Sequence, residues 1–136
     1  MEAVLREIST PALAYLGDSV VELCVRTMLV KKGVSSSKRL NALALNYVTA
    51  KAQAEAVAKI LPLLSEEENA VYHRGRNIGH TNVPKSASVA EYRMATGFEA
   101  LFGYLHLAGR RGRIDELFAV AYQTETDNGG NKNEQS

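Results

Sequence analysis

PALAYLGDSVVE, residues 11–22, decides how this chain is read. Its centre is one carboxylate, Asp18, set behind Gly17 with apolar residues on both sides. From Leu13 to Val30 most positions are apolar, a pattern that predicts a central helix enclosed nearly all round. A charge in such a helix is costly unless it is paired or bound to a metal. Glycine inside a helix costs about 1 kcal/mol relative to alanine, so a close backbone approach is expected at Gly17. On this stretch alone two readings of Asp18 stay open: an ion pair with an Arg or Lys from another helix, or a functional carboxylate.

Outward from this helix the chain reads as helical throughout. Thr10 supplies a capping hydroxyl and Pro11 a first-position proline, while Lys31, Lys32 and Gly33 suit a helix end near Lys32. Residues 2–8 allow a short helical turn before it. Ser35, Ser36 and Ser37 offer caps for an amphipathic run. Its Leu40, Leu43, Ala44, Tyr47, Val48, Ala54, Ala58 and Leu61 recur at three- and four-residue steps as far as Pro62. Ser65 with Glu68 forms a capping box for a third long helix, which fades between Gly75 and Gly79. IGHTNVPKSA, residues 78–87, has no period and reads as a working loop. Ser88 with Glu91 opens a helix that runs to Ala108 and stops at Gly109, and Ile114 to Ala121 marks a last short one. No segment alternates as a strand would, and there is no internal repeat. The expected fold is all-α, with five or six helices in one domain over residues 1–123. Residues 124–136 contain no apolar side chain and are expected to form a disordered tail.

Composition narrows the function classes. The 136 residues suffice for one domain with a substantial core, and 46% hydrophobic with 23% charged residues is ordinary for a globular protein. The net charge of +1 supplies no global field towards nucleic acid, so any such binding must use a local patch. The single cysteine, Cys24, excludes an intramolecular disulfide and a cysteine-based zinc site, and makes a reducing cytoplasm the expected setting. No apolar run approaches the ~18 residues that span a bilayer, so no membrane partner is expected. MEAVLREIST at the N-terminus lacks the apolar core of a signal peptide.

Three carboxylates sit in apolar helical sequence. Asp18 follows Gly17, Glu55 lies among alanines in KAQAEAVAKI, and Glu99 lies in TGFEALFGYL, which again couples glycine with an acid. Acids gathered from separate helices suit magnesium, a cation that takes oxygen ligands, keeps several waters and uses one or two carboxylates. Glu55 has a simpler alternative in ion pairs with Lys51 or Lys59, one turn away on either side. Glu99 has Ala95 and Gly103 at those positions, and Glu22 has Arg26 one turn on, which reads as a helix pair.

AYLGDSVVE resembles the signature helix of the ribonuclease III family, GFEALFGYLHL its second acidic helix, and VTAKAQAEAV the helix between them. The three occur in family order and, with the loop, cover most of residues 11–107. RGRN at 74–77 and EYRMATGFEALFGYL at 91–105 are similar to the small subfamily called Mini-ribonuclease III. Its members keep the helical catalytic domain without a separate double-stranded-RNA-binding domain, and none is expected here after Tyr122. The resemblance implies a magnesium-dependent endoribonuclease that cuts double-stranded RNA to 5′-phosphate and 3′-hydroxyl ends. It implies precursor large-subunit ribosomal RNA as substrate, a homodimer, and no action on DNA. By this resemblance Asp18, Glu55 and Glu99 form the catalytic, metal-holding set. Larger relatives carry an acid where this chain has Ala14, another near Pro11, and an aspartate where it has Thr96. Thr96 is expected to serve packing.

RNA would be held by local basic groups. His73, Arg74, Arg76, His80 and Lys85 surround the aperiodic loop, Arg93 follows it, and Asn77, Thr81 and Asn82 add hydrogen-bonding groups. Duplex RNA is read mainly through phosphates and 2′-hydroxyls. Arg74, Arg76, Asn77 and Lys85 are the expected contacts. Arg110, Arg111 and Arg113 are expected to be solvated helix-end charges. Two rivals remain: a non-catalytic RNA-binding or ribosome-assembly factor on the same fold, and an all-helical nucleotide pyrophosphohydrolase. The second needs paired acids one turn apart, for which Asp18 offers only Glu22.

Overall fold

A computed structural model of the chain describes residues 3–78 and 87–124. Among them there are seven α-helices and no strand. They are α1 (Ala3–Glu7), α2 (Thr10–Lys31), α3 (Ser37–Val48), α4 (Ala50–Ile60), α5 (Glu66–Arg76), α6 (Val89–Leu107) and α7 (Arg111–Ala121), with a 3-10 turn at Leu61–Leu63.

Local chemistry sets the boundaries. Ser9, one residue before the expected cap, accepts the Ala12 N–H at 3.2 Å, and Pro11 follows in the first turn. Gly33 at φ 91° and Gly109 at φ 72° take the left-handed conformation that ends α2 and α6. The amphipathic run of residues 40–61 is two helices rather than one, which brings the count above six. Thr49 is extended (φ −69°, ψ 157°), and its hydroxyl accepts the Ala52 N–H at 3.2 Å. Its capping signal is weak because Ala52 stands where a capping box has Glu or Gln. Both recognisable boxes are formed. The Ser65 N–H donates to Glu68 Oε1 at 2.8 Å, and the Ser88 N–H donates to Glu91 Oε1 at 3.1 Å.

α2 and α6 are the central pair, with α4 and α5 packed on α6 and α7 closing against α4 and α6. Leu13, Val21 and Val25 of α2 meet Phe98, Leu101, Phe102 and Leu105 of α6 in the core. Phe98 and Phe102 pack at 4.7 Å between ring centres, and the Tyr122 hydroxyl donates to the Tyr47 carbonyl at 2.7 Å, tying the end of α7 to α3.

The expectation that α2 is enclosed nearly all round is not met in the single chain. Tyr15 is 84% exposed, Leu23 59% and Val30 60%, and Asp18 shares the open side. More of this helix is apolar than its main neighbours α3, α5 and α6 cover. A groove of about 980 Å³ runs beside it, bordered by Leu23, Met28, Tyr47, Phe118 and Tyr122 and rimmed by Lys31, Lys32 and Arg111. The expectation that Arg113 is a solvated helix-end charge also fails. Its guanidinium reaches both Glu68 oxygens at 2.8 and 2.9 Å, the Leu63 carbonyl at 2.8 Å and Glu116 at 2.8 Å. Glu68 is 2% exposed, so this network fastens α7 to α5 across an interior carboxylate. The reading holds better at Arg110, an exposed residue whose contact with Glu67 is 3.4 Å. No helix of the described residues is long and apolar enough to cross a membrane. The tail expected at 124–136 lies outside the described residues beyond Thr124.

Candidate active site

The site begins with two glycines. A Cβ on Gly17 would collide with the backbone carbonyl of Glu99, and one on Gly103 with the backbone carbonyl of Leu13. Only bare Cα atoms let α2 and α6 cross backbone to backbone. That contact sets Asp18, the next residue of α2, beside Glu99 of α6. The two carboxyl groups are close enough that the charge of Asp18 acts on Glu99.

Neither acid has a basic partner among the described residues. Ion pairs elsewhere among them join Arg26 to Glu22, Arg110 to Glu67, and Arg113 to Glu68 and Glu116. The reading of Asp18 as half of a buried ion pair is therefore set aside: it is exposed, and its neighbour is another acid. Burial above all, then the negative charge of Asp18, pushes the Glu99 carboxyl up to about 8. The Gln53 side chain opposes this by hydrogen bonding.

The expected three-acid set is not gathered. Among the described residues no group of three or more His, Cys, Asp or Glu stands close enough to hold a metal ion. Glu55 is exposed on α4, and the ion pairs above include none with Lys51 or Lys59. The residue that α4 does bring to Glu99 is Gln53, 2% exposed. A helical-phase signal for it exists, because Gln53, Val57 and Ile60 stand at i, i+4 and i+7 and all are buried. Thr96 serves its own helix, its hydroxyl donating to the Tyr92 carbonyl at 2.9 Å.

Two facing carboxylates without a counter-charge fit a hard divalent cation. Such an ion takes oxygen donors, needs one or two carboxylates and keeps water in its remaining positions. The exposure of Asp18 leaves the pair open to solvent and to a phosphate. Cys24 offers no competing chemistry, since burial first and then the charge of Asp115 push its thiol up to about 11.

The basic groups lie nearby. Gly75 packs on Gly97 and Ala100, so its neighbours Arg74 and Arg76 stand at the part of α6 that carries Glu99. Both arginines are exposed, and Arg76 donates to the Asn77 side-chain oxygen at 3.1 Å. They also occupy the last turn of α5, where positive charge suits the helix dipole. Lys85, His80, Thr81 and Asn82 lie outside the described residues.

Comparison with known proteins shows the family. The Ribonuclease III domain family matches residues 11–110. A Mini-ribonuclease 3 of Thermoanaerobacter sp. is 44% identical over 122 residues, covering 90% of this chain and 85% of that protein. The Mini-ribonuclease 3 of Desulfitobacterium hafniense is 47% identical over 133 residues, covering 95% and 83%. A crystal structure of a Fusobacterium nucleatum protein superposes with a TM-score of 0.80 at 30% identity, covering 90% of this chain and 98% of that one.

Proposed function

The chain belongs to the ribonuclease III family, and from that premise we propose that it is a magnesium-dependent endoribonuclease of the Mini-ribonuclease 3 kind, cutting double-stranded RNA at Asp18 and Glu99. The observation that carries this reading is the acid pair at the glycine crossing of α2 and α6, facing solvent without a basic partner.

Asp18 and Glu99 would hold the cation. When bound, magnesium neutralises the phosphate, activates water and steadies the leaving oxygen. The protein's own contribution is placement. The glycine contact fixes the two backbones, Asp18 presents an open carboxylate, and Glu99 would hold the cation in its ionised form. Glu55 stands outside the pair, on the exposed side of α4, where its charge is available to water or cations at the rim. Arg74, Arg76, Asn77 and Lys85 take the phosphates and 2′-hydroxyls of the duplex. For Arg74, Arg76 and Asn77 this assignment is supported by the packing of Gly75 beside Glu99's turn of α6.

The natural substrate in this reading is precursor large-subunit ribosomal RNA, cut in the cytoplasm to 5′-phosphate and 3′-hydroxyl ends. A homodimer is supported by the open apolar side of α2, with Tyr15, Leu23 and Val30 exposed, and by the groove beside it. Two sites would then face the two strands of one duplex. The test is cleavage of a structured precursor RNA by the full chain, with and without magnesium, together with light scattering. Magnesium-dependent cuts by a dimer are expected. RNA binding without cleavage would instead make the chain a non-catalytic ribosome-assembly factor.

A further inference from the structure

α4 sends two polar side chains into different surroundings. Glu55 is exposed, whereas Gln53, two residues earlier, is 2% exposed. Burying an amide without a partner costs about 1–3 kcal/mol, and methionine would fill nearly the same volume without that cost. Gln53 and Glu68 are the buried polar or charged residues among those described. Glu68 is accounted for by Arg113 and by its capping box with Ser65. The Gln53 amide faces the carboxyl of Glu99 and favours its ionised form. A side-chain amide donates through Nε2 and accepts through Oε1, so it can serve Glu99 with or without its proton.

We propose that Gln53 is a positioning residue for the acid pair: its amide holds the Glu99 carboxyl facing Asp18 and thereby sets the pair's affinity for a divalent cation. The assignment rests on reading Asp18 and Glu99 as the cation site. Once ionised, the two carboxylates repel each other, and Glu99 is free to rotate about its side-chain bonds unless something holds it. An interior donor anchored on a third helix supplies that hold. Outer partners of this kind are worth roughly 10–100-fold in metal affinity. An amide does so without adding a third negative charge beside the first two.

The experiment measures Mn²⁺ binding to the full chain by electron paramagnetic resonance, alongside a thermal melt. The proteins are the wild type, Asp18→Asn, Gln53→Met and Gln53→Asn. The expected result is that Asp18→Asn loses binding, while Gln53→Met raises the Mn²⁺ dissociation constant at least tenfold and keeps its melting temperature. Gln53→Asn, whose amide falls one methylene short, should also bind at least tenfold more weakly. In cleavage assays both Gln53 variants should regain most of the wild-type rate as Mg²⁺ is raised, a split that a purely structural role would not give. If Asp18→Asn loses Mn²⁺ while Gln53→Met binds within twofold of wild type, the role of Gln53 is overturned and the acid-pair reading stands. If Asp18→Asn binds as the wild type does, the acid-pair reading falls and takes this one with it. If Gln53→Met fails to fold, Gln53→Asn decides, and wild-type affinity in it overturns the proposal.

Discussion

Glu99 presents its backbone carbonyl to the bare Cα of Gly17, one residue before Asp18. The closest approach at any described glycine and the candidate active site are therefore the same place. Gly17→Ala makes this measurable, because two effects of opposite sign compete. Helix propensity alone would stabilise the alanine variant by about 1 kcal/mol. The collision is with backbone, which cannot swing aside as a side chain can, and overpacking commonly costs about 1–3 kcal/mol, occasionally more. A net loss of about 2 kcal/mol, the upper end of that balance because the clash is with backbone, is expected in urea unfolding. A variant as stable as the wild type would contradict the close crossing.

Arg113 is expected to matter for stability and not for cleavage chemistry. Its guanidinium is the counter-charge of Glu68, whose side chain is 3% exposed. Removing one partner of such a pair strands the other and typically costs about 3–5 kcal/mol. Arg113→Met should show that loss at neutral pH. The hydrogen bonds from Arg113 hold the Glu68 carboxyl below its ordinary range, so the same stabilisation should fade in acid as Glu68 protonates. A melting temperature within a degree or two of wild type would show the network to be dispensable.

Much of this was legible in the sequence, and what was not has physical causes. The central helix and both capping boxes could be read because each is decided by neighbours in the chain, and the close approach at Gly17 because a glycine inside a helix is costly without one. The break at Thr49 was hidden, since the apolar period continues through it and only a hydroxyl cap marks it. Asp18 was expected to be enclosed because apolar neighbours were counted without regard to direction. The crossing buries one side of α2 and leaves Asp18 with Tyr15 on the other. Among the alanines of α4 the acid drew attention first. The phase set by Val57 and Ile60 carries Gln53 inward and Glu55 outward. The role of Arg113 depends on a carboxylate 45 residues away, which no local pattern reveals.

The pH dependence of stability has an unusual sign at Glu99. Its carboxyl lies near 8 in the folded chain, against an ordinary value of 4.5. Between those values the folded state keeps a proton that the unfolded state has lost. This contribution is fully present below about 4.5 and is lost as pH rises through about 8. In the presence of a chelator, Glu99→Gln should flatten the fall in stability across that window and be the more stable protein at pH 8. Identical pH slopes for the variant and the wild type would contradict the buried, repelled carboxyl.

The duplex is expected to be held by the C-terminal end of α5 and the loop beyond it. Replacing Arg74, Arg76 and Lys85 with alanine should weaken RNA binding and reduce the salt slope by up to about 0.9 per lost phosphate contact. Binding is best measured as a salt titration in the presence of calcium in place of magnesium. An unchanged affinity and slope would move the RNA surface elsewhere, with Arg110 and Arg111 next to be tested.

Asp18→Asn tests the central claim most directly. Asparagine keeps the volume and removes the negative charge that a hard cation needs. Asp18 is exposed and sits beside an acid, so its loss strands no partner and relieves a repulsion. Glu99→Gln should match it in activity, and the double variant should be little worse than either, since residues acting as a unit are not additive. The measurement is cleavage of a structured RNA by Asp18→Asn, read beside its thermal melt and its RNA affinity. The account predicts a protein that melts no earlier than wild type, binds RNA as tightly and does not cut. A folded variant that still cuts at the wild-type rate would remove Asp18 from the reaction, and one that melts far earlier would make it a structural residue.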